Sequence, residues 1–157
     1  MIQLRKFIYK LWKHIRNEAE KRISPVSEPV IFASDIDPEN SQKLKQIVQK
    51  YNLSNTINVF SSNFFDLMPQ TIIGQTPIKQ QGLIVLNPPY GRRLGTGNNL
   101  DRIFDQIYKK LKNDFKGWKA AILVPDKRLV KKIPFKVTEH DFFHGGLKIT
   151  LVIGKIR

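Results

Sequence analysis

Apolar positions fall into two periodicities along the chain, one of three to four residues and one of short continuous runs, and the two alternate. Between Ile2 and Arg22, Leu4, Phe7, Ile8, Leu11, Trp12, Ile15 and Ala19 recur at helical spacing, with Arg5, Lys6, Lys10, Lys13 and Arg16 mostly elsewhere around the helix. This spacing predicts a basic amphipathic helix. Such a helix can lie on a membrane or bind a partner, and helices packed on one side of a sheet carry the same stripe. The loop Ser24 to Pro29 leads to a short apolar run, Val30-Ile31-Phe32-Ala33, that reads as a buried strand ending at Ser34-Asp35-Ile36-Asp37-Pro38. Asp37 predicts an N-cap with Pro38 at the first helical position, and Leu44, Ile47, Val48 and Tyr51 supply the apolar face of the helix that follows.

Further strands are predicted at Thr56 to Phe60, Gly82 to Leu86 and Trp118 to Val124, and a helix from about Asn98 to Asn113 that buries Leu100, Ile103, Phe104, Ile107 and Leu111. Two more strands, near Phe135 to Thr138 and Leu147 to Ile153, are joined by His144-Gly145-Gly146. Apolar strands alternating with amphipathic helices predict an α/β domain with a mostly parallel sheet and a C-terminal antiparallel hairpin. Ligands of such sheets bind beyond the carboxyl ends of the strands, where Asp35 and the turn Asn87-Pro88-Pro89-Tyr90 both fall.

Composition narrows the partners. At 157 residues the chain is long enough for one domain of ordinary size. Lysine and arginine outnumber aspartate and glutamate by 27 to 13, a formal charge of +14, which favours a polyanion such as nucleic acid. A charged surface that serves solubility explains the same excess. There is no cysteine, and His14, His140 and His144 lack metal-ligand spacing, so no metal is expected. No apolar run reaches the roughly 18 residues of a membrane span, and the N-terminus lacks a signal-peptide core, so no membrane partner and a cytoplasmic location are expected.

Asn87-Pro88-Pro89-Tyr90, directly after an apolar strand, is the most specific feature. The lone pair of a base amine is delocalised into its ring, so a catalyst must orient it toward an electrophile. The side-chain oxygen of Asn87 and the carbonyl of Pro88 can each accept one amine hydrogen, the prolines stiffen the backbone, and Tyr90 can stack on the base. Holding donor and acceptor in line supplies much of a group transfer.

This turn resembles that of the NPPY class of amino-methyltransferases, which act on adenine, cytosine, guanine or a glutamine side chain. The longer run Asn87 to Gly95, through Arg92, Arg93 and Leu94, is similar to the ribosomal RNA guanine-N2 methyltransferases of the RlmL type, whose related proteins often carry an RNA-binding THUMP domain upstream. Ala33 to Pro38, Phe115 to Ala121 and Phe143-His144-Gly145-Gly146-Leu147 add to the likeness, in the family's order. It implies a Rossmann-like class I methyltransferase sheet and, as partners, S-adenosylmethionine and ribosomal RNA. Asp35 would bind the ribose hydroxyls of that cofactor by accepting two hydrogen bonds, and Ile36 would cover its adenine. Asn63 stands where the family usually has an aspartate accepting from the adenine amine; it keeps the acceptor and loses the charge. Phe64 would neighbour the adenine, with a core role as the alternative, and Asp66 reads as a turn residue. Arg92 and Arg93 would hold RNA phosphates or stack on bases, unless they simply form a solvated loop, and the glycine-containing stretch Gly95 to Asn99 would close over an extruded base.

The family opens its catalytic domain with a strand and a glycine-rich turn, resembling D-P-x-C-G-S-G-T, that cradles the methionine part of the cofactor. No such segment occurs here. The resemblance therefore implies that 1–157 is a single partial methyltransferase domain, 1–23 an amphipathic helix and 30–157 sheet and helices, with the first strand missing. That strand would lie between the Val30 and Gly82 strands. An upstream chain or second copy supplies it, or the flanking strands pair directly, or the sheet is remodelled. Each arrangement implies lost or reduced activity for the isolated chain. Two other readings stay open: an RNA-binding remnant without catalysis, and a methyltransferase for DNA adenine or protein glutamine.

Overall fold

A computed structural model describes residues 2–24, 26, 28–73, 82–89, 97–144 and 146–157. The chain forms two compact units, Met1–Ser62 and Asn63–Arg157.

The N-terminal unit holds helix α1 (Ile2–Lys21), strand β1 (Ile31–Asp35), helix α2 (Pro38–Lys50) and strand β2 (Ile57–Ser61). Strands β1 and β2 pair in parallel, from Ile31 opposite Ile57 to Asp35 opposite Ser61, with α2 as the crossover. Local chemistry sets where α2 begins. Asp37 takes extended backbone, its Oδ1 accepts the Glu39 N–H at 2.9 Å, and Pro38 follows where no donor is needed. One turn on, buried Ser41 donates its hydroxyl toward the carbonyls of Asp35 and Phe60, both at 3.3 Å, tying the helix to the ends of both strands. The helix ends through Asn52, which adopts a left-handed φ of 55°, and the Leu53 N–H returns to the Val48 carbonyl at 2.9 Å.

Of the four apolar positions expected to face inward on α2, Val48 is enclosed, while Leu44, Ile47 and Tyr51 stay exposed. Two strands present a surface about 5 Å across between their axes, too narrow for a full helical stripe. Exposed Tyr9, Leu11, Trp12 and Ile15 mark α1 in the same way.

The C-terminal unit is larger. A 3-10 turn (Phe64–Asp66) and helix α3 (Pro69–Ile73) precede strand β3 (Leu83–Leu86), helix α4 (Gly97–Asp114), strand β4 (Lys119–Val124), helix α5 (Lys127–Val130) and the hairpin β5 (Val137–His144) and β6 (Leu147–Lys155). The sheet order is β3-β4-β6-β5, with β3 and β4 parallel and the other two pairings antiparallel. The antiparallel hairpin is as expected, but the sheet is mixed rather than mostly parallel, and among the described residues β1 and β2 pair in a two-stranded sheet of their own instead of joining a single sheet.

Helix α4 covers one face with Phe104, Ile107, Tyr108 and Leu111, which meet Ala120, Ile122 and Val124 of β4 and Val152 of β6. Burial pushes the Tyr108 phenol up, and its hydroxyl donates to the Leu129 carbonyl at 3.1 Å. Lys132 reaches both Asp101 at 2.8 Å and Asp105 at 3.2 Å, tying the first half of α4 to the segment after α5. The Trp118 ring lies directly over Gly82, where a β-carbon would come within 2.4 Å of it, so glycine at the entrance to β3 is a packing requirement.

Candidate functional site

The predicted site residues divide between the two units. On the N-terminal unit, Asp35 is the last residue of β1 and is exposed. Its main-chain carbonyl accepts the Ser62 N–H at 3.0 Å, and its Oδ1 accepts the Asp37 N–H at 2.8 Å. Asp35 therefore shapes the turn that delivers Asp37 to its capping position. An Asx-type bond of this kind also fixes the direction of the carboxylate at the strand end. Ile36 follows with 67% of its surface exposed, an apolar side chain held out beside a carboxylate.

On the C-terminal unit, Asn87 is the first residue beyond β3 and is exposed, Pro88 is buried and Pro89 exposed. The alternation of β3 explains this. Ile84 and Leu86 point into the core, Leu83 and Val85 point out, and the buried Pro88 ring anchors the strand exit while the Asn87 carboxamide faces solvent. An exposed carboxamide on an anchored backbone can accept a hydrogen from an incoming amine without first breaking a core contact. Tyr90, Arg92 and Arg93 lie outside the described residues, as does most of the stretch expected to close over a base.

Asn63 caps the 3-10 turn, its side-chain oxygen accepting the Phe65 N–H at 3.0 Å. Phe64 is half-buried and stacks on Phe115, with centroids 6.2 Å apart and planes 16° from parallel, which gives it the core contact that was its alternative role. Asp66 ends the turn, its N–H donating to the Asn63 carbonyl at 3.0 Å.

Two features at the carboxyl end of the C-terminal sheet were not read from sequence. Asp126 caps α5 by accepting the Arg128 N–H at 2.8 Å, and the Arg128 guanidinium grips its Oδ2 at 2.7 and 2.9 Å; these bonds hold the carboxyl below its ordinary range. Beside it, Lys127 bridges Glu139 at 2.6 Å and Asp141 at 2.9 Å. The run Pro125-Asp126-Lys127-Arg128 after an apolar strand is the signal that could have revealed this corner. No group of metal-ligating side chains occurs among the described residues, and none of the described helices is long and apolar enough to cross a membrane.

The parallel β-α-β element and the mixed sheet with its antiparallel hairpin make this a Rossmann-like α/β fold of the class I methyltransferase kind. The crystal structure of SMU.472 complexed with SAH superposes with a TM-score of 0.73 at 20% identity, over 92% of this chain and 36% of that one. The N-terminal domain of human METTL16 in complex with SAH gives 0.56 at 17% identity, over 80% and 52%. By sequence, the chain belongs to the RMKL-like methyltransferase domain family (UPF0020), which it matches over residues 1–148. The ribosomal RNA large subunit methyltransferase K/L of Shewanella loihica is 30% identical over 138 residues, covering 86% of this chain. The Synechocystis protein slr0064 is 29% identical over 143 residues, covering 90%. The chain spans 18% of the length of the first of these and 35% of the second.

Proposed function

We propose that this chain serves the transfer of a methyl group from S-adenosylmethionine to the exocyclic amine of guanine in large-subunit ribosomal RNA. The observation that carries this reading is the exposed Asn87 carboxamide on a backbone anchored by buried Pro88, at the carboxyl end of β3. Family membership supports the class of reaction, and the name of the Shewanella loihica relative supports ribosomal RNA as the substrate. The excess of 27 basic over 13 acidic residues suits a polyanion.

The acceptors and apolar side chains present fit the cofactor. Asp35 is an exposed carboxylate at a strand end, able to accept from two ribose hydroxyls, and Ile36 offers an exposed apolar side chain to an adenine face. Asn63 would accept from the adenine amine, and Phe64 backs its turn. When bound, S-adenosylmethionine supplies an electrophilic methyl group. Asn87 and the Pro88 carbonyl accept the two amine hydrogens and orient the nitrogen lone pair, while Pro89 stiffens the turn. Tyr90 would stack on the base, and Arg92 and Arg93 would hold the RNA backbone. No covalent enzyme intermediate is required.

The test incubates labelled S-adenosylmethionine with unmodified ribosomal RNA, DNA or a release factor. The chain is used alone and joined to a segment carrying the glycine-rich turn of the family. Methyl incorporation into RNA that Asn87→Ala lowers roughly 100-fold or more is the expected result, since loss of positioning costs about that much. Incorporation into DNA or release factor instead would transfer the site to another amine. RNA binding with no incorporation from either protein would remove catalysis from the reading.

A further inference from the structure

The antiparallel hairpin is longer than its apolar pattern predicts, and its end is aromatic and bare. Phe143 is 77% exposed, and Leu147 and Phe142 are exposed beside it. None of the three belongs to the core. Register places this tip. Leu86 of β3 lies opposite Ile122 of β4, Ile122 opposite Val152 of β6, and β6 then runs back through Thr150 to Lys148, which pairs with Phe143. Phe143 therefore projects past the carboxyl ends of β3 and β4, at the same sheet edge as Asn87 but from the face that Leu86 and Ile122 share. Asn87 follows Val85 on the opposite face, so an RNA strand joining the two would cross that edge. Phe143 stands roughly 10 Å further along the strand direction and about 14 Å across.

The base of this projection is held by charge. On the face that carries Phe143, Lys127 binds Glu139 and Asp141, Lys148 reaches Asp141 at 3.2 Å, and the Thr150 hydroxyl donates to Asp141 at 2.8 Å. These bonds tie α5 to both hairpin strands immediately before Phe143, so the ring is presented on a braced stem. A braced aromatic ring loses little freedom on stacking. Lys148, its cross-strand partner on the same face, is exposed and paired with Asp141.

From this geometry we infer that the β5–β6 tip is a stacking platform for a base of single-stranded RNA a few nucleotides from the one held at Asn87, with Phe143 as the platform. The chain's +14 charge favours a nucleic acid over an apolar protein partner. The inference rests on the RNA reading above but not on catalysis.

The experiment uses the full chain and a short single-stranded RNA carrying 2-aminopurine, without cofactor, so that stacking is read as fluorescence quenching. Phe143→Ala should weaken binding roughly tenfold and abolish quenching at one nucleotide position, as expected for loss of one stacked base. Phe143→Trp should retain both, and Phe143→Leu should behave like alanine. Full affinity and quenching with Phe143→Leu would overturn the platform. So would a Phe143→Ala protein that binds RNA normally but changes its sedimentation from dimer to monomer. Quenching that depends on Phe143 in a protein that transfers no methyl group would keep the platform and remove the reaction. Methyl transfer with Kd and KM indifferent to Phe143 would do the reverse.

Discussion

In the C-terminal unit Phe104, Leu111, Phe115 and Ile122 are completely enclosed, whereas in the N-terminal unit Val48 is the one enclosed apolar side chain among the described residues. Both units have a parallel strand pair and an amphipathic helix, so element type does not separate them. Sheet width does. Four strands give α4 a surface wide enough to enclose Phe104, Ile107 and Leu111 and partly cover Leu100 and Ile103, and two strands give α2 room for one residue. The N-terminal unit leans instead on short-range bonds: the Asp37 cap, the Ser41 tie and the Asn52 turn. Asp35 and Ile36, proposed to bind cofactor, thus stand on locally bonded structure, and Asn87 and Pro88, proposed to grip an amine, stand on a packed core.

The comparison can be broken most forcefully at the core. Phe104→Ala should cost about 3–5 kcal/mol in denaturant unfolding. Ile47→Ala, at a position 52% exposed on α2, should change stability by no more than about 0.5 kcal/mol. Equal losses would mean that α2 is as well covered as α4. A smaller effect is expected from Asp37→Ala, which removes the cap and should cost about 1 kcal/mol. Hydrogen exchange should then speed up in α2 while β4 and β6 amides keep their protection; faster exchange in both would show the two units to be one cooperative body.

The mildest test is pH. Hydrogen bonds from Lys127 first and from Thr150, with Lys148 adding to them, hold the Asp141 carboxyl at about 2, against an ordinary 3.8. A lowered carboxyl pKa contributes stability that is whole above the ordinary value and is lost as pH falls from there through about 2. Acid titration followed by the amide signals of the β5–β6 hairpin should show it loosening in that window. Asp141→Asn should remove this part of the acid response and leave the exchange of α2 unchanged.

How much could be read beforehand depended on distance along the chain. The Asp37-Pro38 start, the helix containing Leu100 to Leu111, the strand that stops before Asn87 and the closing hairpin all follow from groups a few residues apart, and all are present. The extent of β5 was missed because Glu139-His140-Asp141 interrupts any apolar alternation; those residues stay extended through pairing with β6 and bonding to Lys127. Phe64 could be read as a ligand neighbour or a core ring, and its contact with Phe115, fifty-one positions away, is a core contact.

By itself the amino-acid order determined the kinds of element, their caps and the chemistry at the strand ends, because each depends on backbone and side-chain groups within one or two turns. The tertiary structure alone decided that α4 is covered and α2 is not, and that Phe143 reaches the same edge as Asn87. Burial and register depend on partners brought together from distant parts of the chain, and no local pattern encodes how many strands will lie beneath a helix.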